Sequence, residues 1–274
     1  MSERRGGHGA GGSPIQGPGE RCVYGVGPVR ELVARRASSI KALWIDPKRA
    51  DKHAGDPVAQ LVTAARAAGI AVEDRDRQAL DHAVGDDARH QGIVAWLGAA
   101  HYAGLDDLDD LIAASGEPAL VVALDGVEDP RNLGAVLRSA YLLGAGAVII
   151  PEHRAAQVTA VVSKTSAGAS ELVPIVQVGN LVRALEQLRE LGVWRVAVDA
   201  APGAQPISTL DGALPLCLVL GAEGTGVRPL VSKNCDFHAI IPMQQTAVGS
   251  FNVSVAAAIA LYEIRRQRLA RATP

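Results

Sequence analysis

Six short runs in the second half of the chain are apolar at almost every position: ALVVALD from residue 119, AVIIP from 147, LVPIVQV from 172, WRVAVDA from 194, LCLVLG from 216 and HAIIP from 238. A strand with one face in water alternates polar and apolar side chains, so runs without alternation predict strands covered on both faces. Helical segments separate the runs, and the pattern therefore predicts an α/β domain built on a parallel sheet. Such sheets bind ligands beyond the carboxyl ends of their strands, which directs attention to the loops that follow the runs. Composition agrees: 274 residues, 48% hydrophobic, with a net charge of −2, exclude a disordered, collagen-like or coiled-coil chain. No apolar run reaches the roughly 18–20 residues that cross a bilayer, so no membrane partner is expected. The near-neutral charge does not by itself select a nucleic-acid partner.

The first half reads differently. Residues 1–19 are rich in glycine and proline without an apolar core, which predicts a disordered tail and not a signal peptide. Residues 20–98 alternate short strands (22–24, 42–45, 70–73 and 93–97) with helices (28–37, 57–68 and 76–84), a small α/β domain. In the second of those helices Asp56 fits the N-cap, Pro57 fits the first turn and Gly69 the C-terminal stop. Residues 99–118 read as a linker and short helix whose Asp106, Asp107, Asp109 and Asp110 suit a first turn facing solvent. With no His or Cys beside them, no metal site is expected. Cys22, Cys217 and Cys235 are odd in number and widely spaced, so a reducing, cytoplasmic setting is the expectation.

Three loops of the second domain, residues 119–274, carry chemistry. In the first, a strand ends at Asp125 and a helix is expected over 133–143, with Asn132 a plausible N-cap and Arg131 and Arg138 on a solvated face. Against that plain reading, Arg138 is flanked in sequence by Ala135, Val136, Leu137, Ala140 and Tyr141, a setting in which a guanidinium needs an anion such as phosphate. In the second, a strand runs into Gly221-Ala222-Glu223-Gly224-Thr225-Gly226, where glycines let a ligand approach the backbone. This is neither a Walker loop nor a dinucleotide fingerprint. In the third, a strand ends at Pro242 and a long helix is expected from Ser250, its N-cap, with Val253, Ala256, Ala257 and Ala260 as a small-residue face for close packing. Arg265, Arg266, Arg268 and Arg271 close that helix, either as cations favouring the dipole or as a phosphate-contacting patch.

In order and spacing these loops resemble the SpoU/TrmH family of RNA ribose 2′-O-methyltransferases, part of the knotted SPOUT class. Asn132, Gly134, Arg138, Ser139 and Ala140 are similar to the motif N-x-G-x-x-x-R-[ST]-A. Gly221, Ala222, Glu223 and Gly226 are similar to G-[AS]-E-x-x-G. Ile241, Pro242 and Met243, then Ser250, Phe251, Asn252, Val253 and Ser254, resemble IPM…S-[LF]-N-V-S-x-A, although Gln244-Gln245 and Phe251 stand where a glycine and a leucine are usual. In the first half, VYGVGPVRELV and HQGIVAW resemble the substrate-binding domain of the 23S rRNA guanosine 2′-O-methyltransferases.

The resemblance implies a deep trefoil knot in the C-terminal parallel-sheet domain, a small N-terminal α/β substrate-binding domain, and a homodimer with the site at its interface. It implies S-adenosylmethionine as cofactor, held near Leu220, Gly221, Glu223, Gly226, Ile241, Met243, Ser250 and Phe251. It implies RNA, 23S rRNA first, as partner and no metal. Arg138 is then the critical catalytic residue, Asn132 orients it or the ribose, Glu223 braces the loop, and Ser250 and Asn252 position the substrate end. A tRNA-directed methyltransferase, an antibiotic-resistance methyltransferase and a non-catalytic RNA-binding relative are the alternatives.

Overall fold

In the computed structural model of the chain, which describes residues 17–50, 55–85, 88–115, 118–244 and 249–272, each of the six apolar runs contains a strand. The first half comprises β1 (Arg21–Tyr24), α1 (Val26–Arg36), β2 (Ile40–Ile45), α2 (Pro47–Ala50), α3 (Pro57–Ala67), β3 (Val72–Asp74), α4 (Arg77–Val84) and β4 (Ile93–Leu97). Its four-stranded sheet has the order β1-β4-β2-β3, with β2 and β3 parallel and the other pairs antiparallel. Asp56 caps α3, accepting the Val58 N–H at 2.8 Å, with Pro57 in the first turn. Residues 1–16 of the expected tail lie outside the described residues.

The second half follows α5 (Leu108–Ala113), which a 2.7 Å bond from the Gly104 N–H to Asp107 Oδ2 introduces. It comprises β5 (Leu120–Asp125), α6 (Pro130–Leu142), β6 (Ala147–Pro151), α7 (Ala160–Thr165), β7 (Ile175–Val178), α8 (Leu181–Glu190) and β8 (Trp194–Val198). There follow β9 (Gln205–Pro206), β10 (Leu216–Gly221), α9 (Pro229–Ser232), β11 (Phe237–Ile240) and α10 (Val253–Ala272). The seven strands are ordered β7-β6-β5-β10-β8-β11-β9 and every pairing is parallel. Both faces are covered. Leu120, Val122 and Leu124 of β5 pack with α6 and α10, and Val121 and Ala123, one residue out of phase, pack with α8 on the other face. This two-sided burial, worth roughly 1.5–3 kcal/mol for each fully buried large apolar side chain, is why polar alternation is missing from the sequence.

Several local expectations change. Helix α6 starts at Pro130 and not at 133, because Asp129 accepts the Arg131 N–H at 2.8 Å and Pro130 presets the first turn. Asn132 is therefore inside the helix and is not its cap. Helix α10 starts at Val253, and Ser250 is not its cap; Asn252 Oδ1 accepts the Ser254 N–H at 2.9 Å. The small residues Val253, Ala257 and Ala260 are buried in this chain's own core, where α10 packs on α6 and β10, so that face is not free for a second copy. The terminal arginines are tied within the chain: Arg266 pairs with Glu263, Arg271 with Asp211, and Arg268 donates to the carbonyls of Gly212 and Leu214. All three cysteines are free, and burial pushes the thiols of Cys217 and Cys235 up, the latter to about 12. Among the described residues no helix is long and apolar enough to cross a membrane.

Candidate active site

The carboxyl ends of β5 and β10 lie side by side, with Gly221 opposite Asp125 in the register. Beyond Gly221 the chain turns back on itself: the Gly226 N–H donates to the Ala222 carbonyl at 2.9 Å, and Gly224 and Gly226 have φ of +79° and +66°. Only glycine takes such angles without strain. The turn presents Glu223 outward. On one side stands the first turn of α6 with Asn132, and on the other the start of α10 with Asn252. Because Asp129 already caps α6, the Asn132 side chain is free to reach across, and Asn252 caps α10 through its oxygen while its nitrogen points into the gap.

These three side chains form one hydrogen-bonded cluster. Asn132 Nδ2 donates to Glu223 Oε1 at 3.0 Å, and Asn252 Nδ2 donates to Asn132 Oδ1 at 3.0 Å and to the same Glu223 oxygen. The carboxylate thus locks both amides in one orientation, and residues 120 positions apart are fixed relative to each other. Two clefts flank the cluster and share Ala222, Glu223 and Val253 as their common wall. One, about 360 Å³, is lined by Leu220, Gly221, Gly226, Ser250, Phe251 and Asp199, among others. The other, about 310 Å³, is lined by Gly126, Glu128, Asp129 and Asn132. A larger cleft of about 680 Å³ lies beside Lys41, His101 and Pro174 and includes none of the converging residues. Convergent chemistry, and not size, selects the site.

Of the residues expected from sequence, Leu220, Gly221, Glu223, Gly226, Ser250 and Phe251 line one cleft, and Asn132 and Asn252 join Glu223. Ile241 is buried in the core beneath and Met243 is half-exposed; neither lines the cleft. Gln245 lies outside the described residues. Arg138 is exposed, one and two-thirds turns or about 9 Å along α6 from Asn132, and has no hydrogen bond or ion pair among the described residues. The expectation that it sits among apolar groups is corrected, because Leu133, Val136, Leu137 and Ala140 occupy the opposite, buried side of the helix. With no carboxylate paired to it among the described residues, its exposed guanidinium is available to an anion from a ligand.

Two pairs went unnoticed in the sequence. Asp125, fully buried at the end of β5, accepts the Arg228 N–H at 2.8 Å and its Nε at 2.7 Å, so it pins the far end of the glycine turn. Asp199, at the end of β8 in the cleft wall, meets His238 Nδ1 at 3.2 Å. A lone aspartate closing an otherwise apolar strand was the available signal for the first. Asp125→Asn should leave the fold intact but loosen the turn, lowering stability by about 1–3 kcal/mol in denaturant unfolding and cofactor affinity several-fold in calorimetry. Wild-type values in both would show that the pair does not brace the loop.

Comparison with known proteins gives the chain a family. Residues 119–262 match the SpoU rRNA methylase family, and residues 22–103 match a domain described as RNA 2′-O ribose methyltransferase substrate binding. The chain is 42% identical over 248 residues to the 23S rRNA (guanosine-2′-O-)-methyltransferase RlmB of Pseudomonas aeruginosa, covering 90% of this chain and 96% of that one. It is 41% identical over 209 residues to the putative TrmH family tRNA/rRNA methyltransferase YacO of Bacillus subtilis, covering 76% and 82%. Among solved structures, the SpoU methyltransferase AviRb from Streptomyces viridochromogenes in complex with AdoMet superposes with a TM-score of 0.69 at 26% identity, over 91% of this chain and 90% of that one.

Proposed function

The chain belongs to the SpoU rRNA methylase family, and we infer that it is an S-adenosylmethionine-dependent methyltransferase acting on a ribose 2′-hydroxyl of RNA, a guanosine of 23S rRNA. The observation that carries this reading is the meeting of Asn132, Glu223 and Asn252 between two clefts at the carboxyl ends of β5 and β10. The first cleft fits the cofactor. Gly221 and Gly226 bring bare backbone to its floor, Leu220 contributes an apolar side chain, and Ser250 and Phe251 form the rim. When bound there, S-adenosylmethionine supplies an activated methyl on a sulfonium, so no metal is needed. The second cleft, with Asn132 on its wall, takes the ribose and its phosphate.

A ribose hydroxyl is a weak acid and needs a proton acceptor as it attacks. Arg138 is a poor base, since a guanidinium offers five N–H donors and no acceptor. It clamps the nucleotide phosphate instead, and a phosphate oxygen takes the hydroxyl proton. Asn132 orients the ribose from a position fixed by Glu223 and Asn252, and that positioning supplies much of the rate.

Residues 20–98 select the RNA, residues 99–118 connect, and residues 119–274 transfer the methyl group. A trefoil knot belongs to the same reading: β10 lies between β5 and β8, both earlier in the chain, and α10 then returns to α6. With rRNA as substrate, the working compartment is the cytoplasm. The assembly is a homodimer. Val255, Tyr262 and Leu269 recur every seven residues on α10 with 45%, 59% and 53% of their surface exposed, an apolar stripe suited to a second copy. Sedimentation should give a dimer burying over about 1,000 Å², and Tyr262→Glu should dissociate it. A fully active wild-type monomer would contradict this assembly.

The functional test is direct. Purified protein should gain thermal stability with S-adenosylmethionine or S-adenosylhomocysteine, by about 2.7 kcal/mol at a hundredfold excess over Kd, and gain none from a nucleoside triphosphate or NAD. Ribose methylation mapped in rRNA and tRNA from a deletion strain should lose one 23S guanosine mark. Loss of a tRNA mark alone would favour the tRNA-directed reading, and no loss at all the non-catalytic one.

A further inference from the structure

The four-stranded sheet is fastened to the domain that carries the site by directional bonds on two sides. Arg21, at the start of β1, is buried. Its Nε donates to the Gly98 carbonyl at 3.0 Å within its own half, while its other nitrogens cross to Ser163 Oγ of α7 at 3.2 Å and to both oxygens of Glu171. Only 4% of the Arg21 side chain and 8% of the Glu171 side chain are exposed. Leu172, next in the chain, packs against the apolar core of the first half. On the second side, the Tyr141 hydroxyl donates to Glu31 of α1 at 2.7 Å. Tyr141 lies on α6 one turn beyond Arg138. Helices α6 and α7 are themselves tightly joined, since a Cβ on Gly134 would come within 2.7 Å of Thr165 Cβ.

Linked domains move against each other by default, unless their interface forbids it. Here the bonds that oppose motion end on α7 at Ser163, on the helical turn Ala169–Glu171 that follows it, and on α6, the helix that carries both Asn132 and Arg138. A planar guanidinium gripping a carboxylate through two nitrogens fixes direction as well as distance. Resting on the functional reading above, we propose that the Arg21–Glu171 ion pair and the Tyr141–Glu31 hydrogen bond are positioning elements. They hold the RNA-selecting half in one orientation on α6, so that RNA bound there delivers its target phosphate to Arg138. The geometry of the reaction is then set between domains and not only within the cleft. A misplacement of about 1 Å at a reacting centre can cost on the order of 10² in rate.

The test uses the full-length protein, an unmodified 23S rRNA transcript, and the variants Tyr141→Phe, Glu171→Gln and their combination. Tyr141→Phe removes one hydroxyl from the surface of a helix and should fold normally. The expected result is a kcat at saturating RNA lowered several-fold in Tyr141→Phe and about 10²-fold in the double variant. RNA and S-adenosylmethionine affinities should stay within twofold of wild type, and the maximum dimension in small-angle scattering should increase in the double variant. A structural role alone would instead lower thermal stability and cofactor affinity together. Wild-type kcat in the double variant, or scattering that does not change, overturns the proposal. A wild-type protein that methylates no rRNA overturns the functional reading instead; the scattering of the double variant then decides whether these bonds hold the domain.

Discussion

Arg138→Ala is expected to lower the single-turnover rate of methyl transfer about 10²–10³-fold while S-adenosylmethionine affinity stays within twofold, because one aligned charge-assisted contact to a reacting group is commonly worth that much. The structure makes this a clean experiment. Arg138 is exposed on α6 with its buried neighbours on the opposite side, so its truncation opens no cavity. An exposed helical substitution of this kind changes stability by no more than about 0.5 kcal/mol, and alanine favours the helix. The melting temperature should therefore hold while the rate falls. Arg138→Lys should recover little, since a point charge cannot match the planar fork on a phosphate. One phosphate contact fewer should also reduce the salt dependence of RNA binding by about one counterion. A near-normal single-turnover rate with saturating RNA would remove Arg138 from the mechanism.

The same residue shows where sequence reasoning stops. Its apolar neighbours in sequence suggested a buried guanidinium, but at 100° per residue Val136, Leu137 and Ala140 turn toward the core while Arg138 turns away. Period decides facing, and proximity in sequence does not. The parallel sheet was legible because burial on both faces writes itself directly into runs such as LVVALD and LCLVLG. The glycine turn was legible because its angles demand glycine. The caps were misassigned by competition: Asn132 and Ser250 were acceptable candidates, but Asp129 with Pro130, and Asn252 beside the helix, satisfied the free N–H groups first. Freed from capping, Asn132 became available to Glu223. The brace between Asp125 and Arg228 joins residues 103 positions apart, and Arg21 reaches Glu171 across 150. The lone aspartate that closes LVVALD marks one end of the first pair, but nothing periodic or local records the partner of either. Likewise the small face of α10 announced close packing without saying against what, and α6 in the same chain took that place.

Gly221→Ala should weaken S-adenosylmethionine binding more than any other single methyl added to the loop. At this position a Cβ would fall 1.9 Å from the Gly226 carbonyl carbon, 2.1 Å from its oxygen and 2.2 Å from the Val227 nitrogen. These are backbone atoms, so no rotamer change relieves the clash; the turn must open. Opening it strains the Gly226-to-Ala222 hydrogen bond and shifts Glu223, which in turn holds Asn132 and Asn252. Overpacking of about 1–3 kcal/mol at such a site corresponds to a loss of roughly 5- to 150-fold in affinity. Gly224→Ala is the natural control. Its Cβ meets nothing within 4 Å, so only the strain of φ +79° acts, at roughly 1 kcal/mol. Calorimetry on the two variants should therefore rank Gly221→Ala well below Gly224→Ala in affinity, with RNA binding by the full-length protein little changed in either. Equal, near-wild-type affinities would mean that the cofactor does not rest on this turn, and the cleft beneath Leu220 would lose its assignment.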